Sequence, residues 1–144
     1  MKQGKIKMRI LIDTNILISA LFFGKFPKEF LNEVLKSNFE VCINEQILSE
    51  YEKTIAKKIA RRKNILDEEL FEKFFVAVKI FEISSDLKVC RDPDDDKFIN
   101  CAIDAKAIYI VSGDNNLLTL KNFAGIEIVT AREFYDKYLK PSAM

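Results

Sequence analysis

The sequence predicts an α/β domain: a mostly parallel sheet with helices flanking both faces in three layers. Three observations carry that expectation. Short apolar runs alternate with stretches of helical periodicity from one end of the chain to the other. The runs read as strands buried on two faces, which parallel sheets require. No repeat, low-complexity segment or linker divides the 144 residues, whose 49% hydrophobic content, 12 phenylalanines included, can fill one core.

The elements follow in order. Met8–Ile12 is an apolar run expected as the first strand, ended by Asp13-Thr-Asn15. A helix follows from about Ile16 to Phe22. Pro27 is expected to open a second helix, Lys28 to Lys36, with Phe30, Leu31, Val34 and Leu35 on its apolar face. Phe39–Ile43 is the second strand. Asn44 then serves as an N-cap for a helix carrying Ile47, Tyr51, Ile55 and Ile59 at four-residue spacing as far as Lys63. Asp67 begins a helix to Val78, and Ile80 to Ile83 forms a weaker strand. Asp92-Pro93 pairs an N-cap with proline at the first helical position of a helix ending near Lys106. Ala107–Val111 is a strand stopped by Ser112-Gly-Asp114. Glu127–Val129 is the last strand, and Ala131 to Tyr138 the last helix. Residues 1–7 are expected to be a flexible N-terminus, and residues 8–140 a single domain.

Composition narrows the chemistry. The absence of histidine removes serine–histidine and cysteine–histidine catalysis, histidine general bases and most zinc sites. Any enzyme here works with carboxylates, lysines, hydroxyls or thiols, and carboxylate oxygens favour hard ions such as Mg²⁺ or Mn²⁺. Cys42, Cys90 and Cys101 are widely spaced and odd in number, so buried thiols in a reducing, cytoplasmic compartment are expected. No apolar run approaches the length of a membrane span. The net charge of +1 is uninformative, but its distribution is not: Lys53 to Lys63 is basic, and Asp92 to Asp96 is acidic.

The acids fall on one edge of this frame. Asp13 follows the first strand at its carboxyl end. Glu50 lies ~9 Å along the helix after the second strand, still near that edge. From Asp96 about ten helical residues descend ~15 Å and five strand residues return ~17 Å, which brings Asp114 back to the same rim. Ligands of open α/β sheets bind beyond the carboxyl ends of the strands. Clustered carboxylates repel one another until a divalent cation joins them. A cation so held lowers the pKa of bound water and stabilises a phosphodiester under in-line attack. Each acid also has a plain structural role: Asp13 and Asp114 as turn or cap residues, Glu50 as a solvated helix residue, and Asp92 as the helix cap. Asp94, Asp95 and Asp96 are equally plausible as complements to the helix dipole.

The segments Ile-Leu-Ile-Asp13-Thr-Asn15, Ile-Leu-Ser-Glu50-Tyr, Arg-Asp92-Pro-Asp-Asp-Asp96-Lys-Phe-Ile-Asn-Cys-Ala and Ile-Val-Ser-Gly-Asp114-Asn-Asn-Leu-Leu together resemble a PIN domain. The Asp-Pro-Asp-Asp-Asp form resembles the VapC-like branch of toxin–antitoxin systems. The resemblance covers about Met8 to Tyr138. It implies a Rossmann-like sheet and a Mg²⁺- or Mn²⁺-dependent endoribonuclease. Asp13, Glu50, Asp96 and Asp114 take the places of the catalytic, metal-holding acids. Asn15 would orient Asp13 or a water, and Ser112 takes the place of the family's hydroxyl residue. Asp96 is favoured over Asp94 and Asp95 by its 18-residue distance to Asp114 and its register with Phe98 and Ile99. The family further implies an RNA substrate, a homodimer and an antitoxin protein as partners.

Three other readings compete. A haloacid-dehalogenase-type phosphatase needs a second aspartate where Asn15 stands, and a receiver domain needs a pair of acids where Ile12 precedes Asp13. A catalytically silent module of the same fold, binding RNA or protein, is the alternative to a nuclease. Lys57, Lys58, Arg61 and Arg62 are candidate contacts for RNA phosphates, or else a solvated helix face. The Phe-rich segment Leu70 to Phe81 has helical spacing and is expected as core or a dimer face.

Overall fold

The computed structural model describes residues 7–61 and 65–141. The expectations for residues 1–6 and for Arg62 and Lys63 lie outside them. The remainder forms a six-stranded sheet in the order β3-β2-β1-β4-β6-β5. The strands are β1 Arg9–Ile12, β2 Glu40–Ile43, β3 Lys79–Ile80, β4 Tyr109–Val111, β5 Asn122–Phe123 and β6 Ile126–Val129. All neighbours run parallel except β5, which closes one edge as an antiparallel hairpin with β6. The three-layer α/β expectation holds.

The helices are α1 Thr14–Phe22, α2 Lys25–Lys36, α3 Glu45–Arg61, α4 Glu68–Ala77, α5 Asp96–Ala105, α6 Asn115–Leu118 and α7 Ala131–Phe134. A π-helical turn, Tyr135–Leu139, extends α7. The central strands β1, β2 and β4 are apolar along nearly their whole length because both of their faces are covered. Ile10, Leu11, Ile12, Cys42, Ile43, Ile110 and Val111 are fully buried among the helix residues Leu17, Leu31, Ile47, Tyr51, Ile99 and Ala102. Burying such side chains contributes about 1.5–3 kcal/mol each.

Several boundaries differ from expectation for identifiable reasons. α1 begins at Thr14 because the Asp13 carboxylate itself caps it, accepting from Ile16 N at 3.1 Å. α2 begins at Lys25, after Gly24 turns the chain with φ +69°. Pro27 is therefore its third residue, still inside the first turn, where no N–H is needed. β3 is centred before the expected Ile80–Ile83. Phe81 N donates to Ile43 O at 2.8 Å, after which the chain leaves the sheet. Two elements escaped the sequence: the four-residue α6 and the two-residue β5. Neither is long enough to show a period.

The sheet order reverses between β1 and β4. The chain runs outward from β1 through β2 to β3 and then crosses to β4 on the other side. A crevice opens there beyond the carboxyl ends of the strands. No helix among the described residues is long and apolar enough to cross a membrane.

Candidate active site

A groove with a volume of about 1000 Å³ lies over that crevice, lined by residues of α1, α3, α5 and the loop after β4. Asp13, Asn15, Glu50, Asp94, Asp95, Asp96 and Asp114 all reach it. The rim predicted from element lengths therefore exists. What each acid does there differs.

Asp13 is almost wholly buried. Its Oδ1 caps α1, and its Oδ2 accepts from the Ser112 hydroxyl and from Gly113 N at 3.0 Å. Burial raises its pKa against the lowering by those three bonds, and the nearby Asp114 charge adds to the rise. Ser112 Oγ also accepts from Asp114 N at 2.9 Å. One fully buried hydroxyl thus ties the two strand-end aspartates together. Asp114 Oδ1 caps α6 by accepting from Asn116 N at 2.9 Å.

The carboxyls of the aspartate run Asp92–Asp96 have different surroundings. Asp92 does cap the turn before Pro93, as expected, accepting from Asp94 N at 3.0 Å. Pro93–Asp95 is a 3₁₀ turn, and regular α-helix begins only at Asp96. The tighter turn, about three residues per revolution, changes the register of the aspartate run. It turns Asp95, rather than Asp96, toward Asp114. The Asp95 carboxyl lies against that of Asp114, and its pKa is pushed up to about 7, first by burial and then by that neighbour. Its Oδ2 is buried with no hydrogen-bond partner.

Asp96 Oδ1 instead accepts from Val89 N at 3.0 Å and Cys90 N at 2.7 Å, which, together with Lys88, hold its pKa low despite burial. Asp96 is the first rung of a ladder along α5. Asn100, one turn on, bonds both polar groups of Leu87, donating to its carbonyl at 3.1 Å and accepting from its N–H at 2.7 Å. Asp104, another turn on, accepts from the hydroxyls and backbone N–H groups of Ser84 and Ser85. The irregular segment Ser84 to Cys90 is thereby strapped to the helix. Polar residues four apart on a helix with buried neighbours were the signal for it.

Glu50 reaches the groove but is bonded elsewhere. Its Oε2 accepts from the Thr14 hydroxyl, and its Oε1 pairs with Lys97 Nζ at 2.7 Å. The adjacent Tyr51 donates its buried hydroxyl to Ile12 O and so pins α3 to the end of β1. Asn15 is exposed in the groove. Among the described residues no hydrogen bond joins it to Asp13; Ser112 does that work. Thr14, Asp95 and Lys97 are the contributors that sequence spacing did not single out.

The expected basic patch divides. Lys57 lines the groove beside Lys53, whereas Lys58 stacks over the Phe23 ring at 5.4 Å, and Arg61 is exposed at the end of α3. The three cysteines are free thiols, with Cys42 and Cys101 buried and pushed up to about 12 by desolvation.

Among the described residues, no three acid or thiol side chains are gathered closely enough to enclose an ion as they stand. The donor chemistry nevertheless fits a hard divalent cation. All the groups offered are carboxylate oxygens. Two of them, Asp95 and Asp114, are pressed together, and a buried oxygen between elements lacks any partner.

Comparison with known proteins agrees with this architecture. Residues 9–116 match the model of the PIN domain. The uncharacterized protein MJ1680 of Methanocaldococcus jannaschii is 32% identical over 153 residues, covering 96% of this chain and 97% of that protein. Two solved structures share the fold with a TM-score of 0.58 each. One is VapBC2 from Rickettsia felis bound to a DNA fragment from its promoter, at 16% identity, covering 84% of this chain and 97% of that one. The other is PAE2754 from Pyrobaculum aerophilum, at 14% identity, covering 94% and 92%.

Proposed function

The chain belongs to the PIN domain family, and from that premise we propose that it is a divalent-metal-dependent endoribonuclease. The observation that carries this reading is the Asp95–Asp114 pair. Two carboxyls are pressed together at the switch point of a parallel sheet, with Asp13 tied to Asp114 through Ser112 and, among the described residues, a buried Asp95 oxygen without a hydrogen-bond partner. The pair opens onto a groove large enough for a nucleic-acid strand.

In this reading Asp13, Glu50, Asp95 and Asp114 hold Mg²⁺ or Mn²⁺. The ion supplies an acidified water and charge neutralisation at the phosphodiester. Asp96, favoured in the sequence by its distance to Asp114 and its helix register, braces Asp95 from behind in this reading by fixing the strap. Ser112 sets the separation of Asp13 and Asp114. Asn15, exposed in the groove and without a side-chain hydrogen bond among the described residues, is placed to orient a water or a phosphate. Lys53 and Lys57 lie along the same groove and suit the substrate backbone. The VapBC2 likeness supports, at the level of the fold, a role as the toxin of a toxin–antitoxin pair, with an antitoxin protein and a second copy of the chain as partners.

The test is cleavage of single-stranded RNA with Mn²⁺ or Mg²⁺, paired with calorimetric titration of the metal. Asp13→Asn is expected to lower the cleavage rate about 1000-fold or more, the scale of losing a group that acts only on the transition state. RNA binding with neither cleavage nor metal uptake would replace this reading with the silent binding module.

A further inference from the structure

Among the described residues, the ion pair between Glu50 and Lys97 is unlike the others. The cationic side chains of the other five pairs described are 38–77% exposed, whereas that of Lys97 is 15% exposed. Lys97 is also the second residue of α5. A helix N-terminus carries partial positive charge and disfavours a cation there. The helix therefore does not explain its position; the acids do. Its ammonium sits 2.7 Å from Glu50 Oε1 and 2.6 Å from the Asp94 carbonyl oxygen, and its charge acts on Asp95. A half-buried carboxylate otherwise lacking a cation is neutralised, and Glu50 is held apart from the Asp95–Asp114 pair.

We propose that Lys97 is a built-in counter-ion for Glu50 that a divalent metal must displace, so that this side chain sets how tightly the site takes its ion. The inference rests on the reading that these acids hold a metal. Lys97 is a positioning residue in this role. In the metal-free protein it keeps a ligand in reserve and relieves the repulsion that four carboxylates would suffer on one rim. On metal uptake Glu50 exchanges one cation for another, and Lys97 is released toward the groove, where Lys53 and Lys57 already lie.

The experiment is calorimetric titration of Mn²⁺ into the wild type, Lys97→Met and Lys97→Arg, with the thermal midpoint of each protein measured in a chelator. Lys97→Met is expected to bind Mn²⁺ on the order of tenfold more tightly, a difference of about 1.4 kcal/mol, because the ion then displaces no partner of Glu50. It is expected to melt lower when metal-free, because Glu50 loses its partner. Lys97→Arg keeps the charge and is expected to bind no more tightly than the wild type. Lys97→Gln is read by the same criteria if the methionine variant does not fold. Tighter Mn²⁺ binding by the neutral variants alone supports the proposal, and does so most strongly if the wild type shows no binding. Equal or weaker binding by the neutral variants overturns it and leaves the metal site standing. Absence of Mn²⁺ binding in every variant overturns both.

Discussion

Asp95 and Asp96 are adjacent at the start of α5, yet one carboxyl is raised to about 7 by burial and a neighbouring acid, while the other is held low by two backbone amides. Both reach the groove, but one lies against the Asp114 carboxyl and the other is bonded to the strap. The difference arises from a single 3₁₀ turn, Pro93–Asp95, which rotates two chemically identical residues into opposite environments. Residue type and spacing therefore do not assign roles within an aspartate run. The hydrogen-bond donors around each carboxyl do.

The largest expected effect separates the two aspartates directly. Asp95→Asn is expected to weaken Mn²⁺ binding about 100-fold, the upper end of what removing a supporting group costs and a minimum for a ligand. Asp96→Asn is expected to keep Mn²⁺ binding within about tenfold. Its main effect is a loss of about 1 kcal/mol of stability, because the part-buried Val89 and Cys90 amides then donate to a neutral amide oxygen and their bonds are no longer charge-assisted. Calorimetry with Mn²⁺ and denaturant unfolding on both variants checks this, and the reverse ordering would return Asp96 to the metal.

A pH series sharpens the same contrast. In the metal-free protein folded Asp95 keeps its proton up to about 7, whereas in the unfolded chain it ionises near 3.9. The folded state then binds more protons between those values, so stability falls as pH rises from about 4 to 7. Asp96 has the opposite sign: its lowered pKa stabilises the fold above the unfolded value and is lost as pH falls through the folded one. Asp95→Asn should flatten the decline toward neutral pH in chelator, measured by thermal midpoint; an unchanged slope would show that Asp95 is not its source.

The smallest effect concerns the groove against the outer face of α3. Replacing Lys53 and Lys57 by alanine should weaken RNA binding and flatten its dependence on log salt by about 1.4, at ~0.7 per phosphate contact on single strands. Lys58→Ala, beside the Phe23 ring, should change that slope by much less than either. Filter binding across a salt series distinguishes them.

These contrasts also mark what the sequence made readable. Asp13 and Asp114 were legible because each ends a continuous apolar run, and strand ends fix position to within a residue. The rim followed from element lengths alone. Which carboxyl of Asp94, Asp95 and Asp96 lies against Asp114 was not legible, because Asp-Pro-Asp-Asp-Asp reads as an ordinary helix start and a 3₁₀ turn leaves no periodic trace in three residues. Glu50 was placed correctly on α3, but its bonds to Thr14 and Lys97 span 36 and 47 positions and depend on how three helices pack. β5 and α6 were too short for any period. The strap was written in Asp96, Asn100 and Asp104, a polar file on a helix whose other faces are buried, and was open to a reading that asked why those residues were polar.

The bridge from Ser112 to Asp13 joins residues 99 positions apart, and it exists only because β4 lies against β1. A ribosome making this chain has exposed Asp13, Glu50 and Asp95 long before Ser112 and Asp114 emerge. Throughout that interval the acids are scattered on a chain with no completed sheet. The switch-point topology thus delays assembly of the site until β4 and the loop after it have been translated, and a prematurely terminated product ending before β4 has no such site at all.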